Sequence, residues 1–216
     1  MYIPASFREA RSEILHAFMQ AHPLGLLITH GPSGLQASPL PFLLYPDEGE
    51  CGVLRAHLAR ANPHWQDLQG LLECLVVFQG PQAYVTPSWY PSKAETHRAV
   101  PTWNYTAVHA WGRPEVTEDA AWLLRQLKDL TEQHEQRRPE PWALRDLPDD
   151  YLAGQLKAII GIEIPLQRIE GKFKLSQNRN AADRAGVTRG LRDGQDPHRN
   201  EAVADLVEYA GISKQL

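Results

Sequence analysis

The 216-residue chain carries 22 Lys and Arg against 26 Asp and Glu, a formal net charge of -4, with 43% hydrophobic and 22% charged residues. That balance fits a folded globular chain with a real core. It excludes a protein that holds nucleic acid through its whole surface, so any DNA contact needs a local basic patch. No apolar run approaches the ~20 residues that span a bilayer, and the start MYIPASFREA lacks a basic-then-apolar leader. A soluble, cytoplasmic chain is expected.

The first element is an amphipathic helix over about 8–20, with Ile14, Leu15, Phe18 and Met19 at helical spacing before Pro23. Leu24 to Thr29 reads as a strand ahead of the His30-Gly31-Pro32-Ser33-Gly34 turn. Leu35 to Tyr45 holds two internal prolines and reads as an edge or bulged strand. Gly52 to Ala59 alternates, with Val53, Arg55 and His57 on one face. Asn62-Pro63 opens a short helix. The segments ECLVVFQG and QAYVTP read as one strand interrupted near Gly80-Pro81, and Trp103 to Val116 as another.

Residues 117–136 form the clearest helix, with Thr117 as N-cap and Leu123, Leu124, Leu127 and Leu130 as its apolar face. A further helix is expected over 148–160, with Leu152, Leu156, Ile159 and Ile160 on one side. Gly161 to Leu175 returns to a strand. The remainder is a polar tail, variable after about 191, with a short helix over 200–209. No repeat and no regular strand–helix alternation is present, so the chain reads as one mostly β domain with flanking helices.

Three stretches carry chemistry. In HLARANPHW (57–65) a strand ends and a helix begins, so His57, Arg60 and Asn62 can converge on an anion such as a phosphate; an ordinary helix cap explains the same residues. Tyr84–Lys93 and Val100–Tyr105 place Trp89, Tyr90, Trp103 and Tyr105 among Ser88, Ser92, Lys93, Thr102 and Asn104. Flat aromatic surface beside polar donors suits a planar heterocycle, and equally suits a plugged core or an interface. In EGKFKLSQNR (170–179), Lys174, Ser176, Gln177, Asn178 and Arg179 gather donors at the end of the last strand; a charged edge strand reads the same way. Motifs for dinucleotide, P-loop, hydrolase, CxxC and HExxH sites are missing, nine histidines lie without ligand spacing, and Cys51 and Cys74 do not make a disulfide scaffold.

These stretches, with MYIPASF, LPFLL, VHAWGRPEV, IIGIEIP and DRAGVTRGL, run in order through nearly the whole chain. Together they resemble the PaiB family of FMN-binding, negative regulators of transcription, linked to protease synthesis and sporulation. The resemblance implies a six-stranded Greek-key split barrel and a homodimer. FMN would sit at the subunit interface, as in the related pyridoxamine-phosphate oxidases. It places the cofactor near His57–Asn62, Ser88–Lys93 and Thr102–Asn104. Arg60 and Lys93 would neutralise the phosphate with His57 and Ser88 as further donors, Trp103 and Asn104 would lie near the ring, and Lys174–Arg179 would face flavin or substrate.

A flavin-dependent oxidoreductase acting on a small molecule is the alternative, although no catalytic acid or base can be named. A haem-handling role, with His109 or His57 as axial ligand, is the third. DNA remains a partner to be tested, with Arg137-Arg138 and 172–192 as the most basic stretches.

Overall fold

The computed structural model describes residues 1–212. In chain order the elements are β1 (Arg8–Glu9), α1 (Ser12–Ala21), β2 (Leu24–Gly31), β3 (Gly34–Pro41), β4 (Leu43–Tyr45), β5 (Val53–Ala59), α2 (His64–Leu68), β6 (Cys74–Val85), α3 (Pro91–Thr96), β7 (Thr102–Gly112), β8 (Glu115–Thr117), α4 (Ala120–Glu135), α5 (Asp149–Lys157), β9 (Ile159–Lys174), α6 (Ala181–Arg192) and α7 (Glu201–Ile212). The strands hydrogen-bond in the order β3-β2-β6-β7-β9-β5-β4, with β1 and β8 also pairing β9. The pairings of β2 with β3 and β6, and of β9 with β1, β5 and β8, are antiparallel. The fold is therefore mostly antiparallel sheet with flanking helices. The described residues hold nine strands rather than six. Three of them, β1, β4 and β8, are only two or three residues long.

The chain divides into two compact units, one of Ser12–Phe78 and His109–Ile169, the other of Met1–Arg11, Gln79–Val108 and Glu170 onward. In the first, β2 and β3 form a hairpin with Gly31 opposite Gly34. Gly34 takes φ +89, which an L side chain resists. The core of this unit gathers Leu27, Leu54, Leu58, Ile160, Ile162 and Ile164 from alternating strand positions with Met19 of α1 and Leu123 of α4. Gly161 of β9 lets the Trp122 ring of α4 lie on the strand, since a Cβ there would come within 2.4 Å of it.

The second unit has its own core, where Val85, Tyr90 and Leu175 meet Val187 and Leu191 of α6 and Val203 and Val207 of α7. Asn180 caps α6 by accepting from the Asp183 N–H at 2.8 Å. Asp183 in turn accepts from the Ser92 N–H at 3.1 Å and its hydroxyl at 2.7 Å, tying α3 to α6. Gly186 and Gly190 leave a notch for Trp89; a Cβ at Gly190 would stand 2.3 Å from the indole ring.

Several element boundaries differ from the sequence reading, each for a tertiary reason. The first helix starts at Ser12, not near 8, because Arg8 and Glu9 pair with Lys172 and Gly171. α4 is capped by Asp119, whose carboxylate accepts from the Ala121 and Trp122 N–H groups; Thr117 is instead paired with Gly161 in β8. Leu124 of α4 is exposed rather than core-facing. α5 ends at Lys157, since Ile159 and Ile160 already belong to β9 opposite Ala59 and Leu58. The strand through Gly80-Pro81 is unbroken. The polar tail contains a helix, α6, that had no apolar stripe to announce it, and α7 runs to Ile212.

Candidate functional site

In the second unit, β7 alternates: Asn104 and Thr106 point inward while Trp103 and Tyr105 point outward. Trp103 is 52% exposed and meets the Tyr84 ring edge-on at a centroid distance of 6.1 Å. Tyr84 also contacts the His198 ring at 4.7 Å. The result is an aromatic ledge. Lys174 at the end of β9 donates to the Thr102 hydroxyl at 2.5 Å and to the Trp103 carbonyl. Lys172, two residues back on the same strand face, places its ammonium 5.3 Å from the Tyr105 ring centroid. The Arg179 guanidinium lies 4.6 Å over Tyr90.

Among the described residues, Lys172, Lys174 and Arg179 form no ion pair. Burial pushes the Lys174 ammonium below its ordinary pKa, and repulsion from Lys172 and Arg179 pushes it the same way. A bound anion would reverse the second of these effects.

Two neighbouring donors, Ser176 and Gln177, are hydrogen-bonded within the protein. Ser176 sits at φ +61, a left-handed conformation, and is held there by the buried Asn104 amide, which donates to its hydroxyl at 3.0 Å. The Gln177 side chain accepts from the Leu175 N–H at 2.7 Å and donates to the Phe173 carbonyl at 2.5 Å. Both stitch the turn after β9. Asn178 is exposed. Ser88 is exposed, with its N–H capped by the Thr86 hydroxyl at 3.2 Å. Lys93 lies on the short helix α3 and is half-buried.

His57, Arg60 and Asn62 belong to the first unit. The His57 Nδ1 contacts the Gln126 amide oxygen at 2.9 Å. Arg60 is already engaged, donating to the Lys157 carbonyl and to Glu118, each at 2.8 Å. The Asn62 amide oxygen accepts from the His64 N–H at 3.1 Å, and its amide nitrogen donates to the Ser38 hydroxyl at 3.5 Å. His64 is fully buried, gripped by the Thr29 hydroxyl at 2.7 Å and the Ser38 hydroxyl at 2.8 Å. Burial holds its pKa below the usual imidazole value, against a smaller opposing pull from Asp67.

The sequence pattern singled out Thr102, Trp103, Asn104 and Lys174, and the structure brings these four together. Tyr105, one of the aromatics the sequence groups with Trp103, and Lys172, on the same strand face as Lys174 by parity, join them; Tyr84 was not singled out. No helix among the described residues is long and apolar enough to cross a membrane. Cys74 is buried and its thiol is pushed up to about 12, which keeps it unreactive.

A family model described as "Putative FMN-binding domain" matches residues 1–168. The chain is 33% identical over 216 residues to "Protease synthase and sporulation protein PAI 2" of Bacillus subtilis strain 168, covering all of both chains. It is 36% identical over 236 residues to an uncharacterised protein of Aspergillus fumigatus, covering 88% of this chain and 90% of that one. Among solved structures it is similar to the FAD and haem binding protein from Mycobacterium smegmatis (TM-score 0.57, 16% identity, 77% of this chain and 73% of that one). It is also similar to the flavocytochrome Anf3 from Azotobacter vinelandii (TM-score 0.56, 16% identity, 83% and 75%). At such identities the structural likenesses speak for the fold alone.

Proposed function

The chain belongs to the family described as "Putative FMN-binding domain", and on that premise we propose that it holds FMN on the face around Lys174 and acts as a PaiB-type negative regulator of transcription, as a cytoplasmic homodimer. The observation that carries the cofactor reading is the uncompensated trio Lys172, Lys174 and Arg179 beside the half-exposed Trp103. Three like charges at one place raise the free energy of the empty face, and a phosphate or a polarised ring oxygen lowers it. FMN offers both, together with a plane for the aromatic ledge, so the residues present fit the group.

In this reading Lys174, Lys172 and Thr102 supply donors, Trp103 and Tyr84 supply ring surface, and Asn104, Ser176 and Gln177 fix the turn that aims Lys174. Arg179, Asn178, Ser88 and Lys93 are further donors of the same unit. His57, Arg60 and Asn62 stand as separate phosphate candidates, with Arg60 weakened by its pair with Glu118. The six long strands would form the Greek-key split barrel. Bound FMN supplies one- and two-electron redox chemistry; these side chains bind and orient it.

The direct test is the absorption spectrum of the purified protein with its released cofactor identified. The wild type is expected to be yellow with FMN. Lys172→Met with Lys174→Met should weaken FMN binding at least tenfold, since each charge-assisted bond is worth about 1.5–3 kcal/mol. Arg60→Ala with Lys93→Ala is the matched comparison. Full flavin retention in the double-methionine variant would remove the assignment. The regulator reading is tested by titrating promoter DNA at several salt concentrations. A slope near zero would exclude phosphate contact.

A further inference from the structure

In the first unit a small polar cavity of about 110 Å³ lies under α4, lined by Tyr45, Arg55, Trp122, Arg125, Gln126 and Asp129. Most of its polar groups are spoken for. The Arg55 guanidinium donates to Glu163 at 2.5 Å and to Glu48 at 2.7 Å, and stacks 4.2 Å over the Tyr45 ring. The Tyr45 hydroxyl donates to Asp129 Oδ2 at 2.6 Å. The Trp122 indole N–H donates to Glu163 at 3.3 Å. Burial and the Asp129 bond together push the Tyr45 phenol up to about 12, so it stays a donor at every relevant pH.

Three groups are left over. Gln126 is 1% exposed; its amide oxygen is taken by His57, and its amide nitrogen is buried with no partner. Leaving such a donor dry costs free energy that a partner would return. Arg125 and the Oδ1 atom of Asp129 make no hydrogen bond among the described residues. The cavity is therefore lined by unsatisfied donors, on Gln126 and Arg125, and by one unsatisfied acceptor, on Asp129, all three carried by α4.

Charge narrows the occupant. The lining residues Arg55, Arg125 and Asp129 sum to +1, and Glu48 and Glu163, bonded to Arg55, bring the group to -1, which disfavours an added anion. The occupant is neutral, carries an acceptor and a donor side by side, and is small. We propose that this cavity binds a primary carboxamide, its carbonyl oxygen facing the Gln126 amide nitrogen and Arg125 and its NH₂ group facing Asp129. A carboxamide with one or two further carbons fits the volume. The alternative contents are three or four waters, at roughly 30 Å³ each. The inference uses no residue of the lysine face and stands independently of the flavin reading.

The test titrates the full-length protein with acetamide, acetate and acetone, following the Gln126 side-chain NH₂ resonances and Trp fluorescence. Acetamide is expected to bind saturably in the millimolar range, as befits so few atoms, with acetate and acetone at least tenfold weaker. Asp129→Asn, which replaces the free acceptor by a donor while still accepting from Tyr45, should weaken acetamide at least fivefold. Arg125→Met at the exposed rim is the second variant and should weaken it severalfold without touching the fold. Tighter binding of acetate would make this an anion site and overturn the proposal. So would a cavity that saturates with no probe and exchanges freely with water, or acetamide binding indifferent to both substitutions.

Discussion

Adding one methyl group at Gly190 is the sharpest test of how the second unit is assembled. A Cβ there would stand 2.3 Å from two atoms of the Trp89 ring and 2.5 Å from its nitrogen, all closer than real Cβ contacts come. An indole is rigid, so it must leave the notch. Overpacking of this kind costs about 1–3 kcal/mol, while replacing a mid-helix glycine by alanine returns roughly 1 kcal/mol of helix propensity. Gly190→Ala should therefore destabilise by up to about 2 kcal/mol. In a Trp89→Ala background the ring is gone, only the propensity gain remains, and the same substitution should stabilise by up to about 1 kcal/mol. The coupling is then the overpacking cost itself, roughly 1–3 kcal/mol, read from urea midpoints of the four proteins. Gly186 is the internal control. Its Cβ would meet the Trp89 backbone carbonyl at 1.9 Å, so Gly186→Ala should destabilise in both backgrounds. If Gly190→Ala raises the midpoint with Trp89 in place, the notch does not hold the ring and the argument fails.

Three further outcomes are expected. The folded-state pKa of His64 lies below the ordinary value because the ring is buried, so the unfolded chain binds more protons. Its contribution is whole above about pH 6.5 and drains away as pH falls below that. The urea midpoint should drop between pH 7.5 and 5.5, and drop less in His64→Gln; His22 is shifted the same way by burial and keeps part of the slope. Arg55→Met strands Glu48 and leaves Glu163 with only the Trp122 N–H, costing about 2–3 kcal/mol, less than a fully buried pair because Arg55 is partly solvated; an unchanged unfolding midpoint would count against the network. Asn104→Ala removes the donor that pins Ser176 in its left-handed turn and should cost about 2–3 kcal/mol while loosening FMN through Lys174; full FMN affinity in that variant would separate the turn from the site.

The chain's class was legible in its sequence because strand alternation and turn residues act locally. β2, β5 and β9 follow from spacing that any extended segment imposes, and the order of motifs carried the family. Pattern could not say which donors remain free. It does not show that Arg60 pairs with Glu118, 58 positions away, or that the Ser176 and Gln177 side chains hydrogen-bond within and beside the turn after β9. α6 was invisible because its glycines, poor helix formers, are there to admit Trp89 from 97 and 101 residues earlier. The Gln126 amide oxygen is taken by His57, 69 residues distant, and its nitrogen is buried without a partner among the described residues. Each of these turns on long-range pairing, and a side chain's remaining valence is known only once the fold has spent the rest.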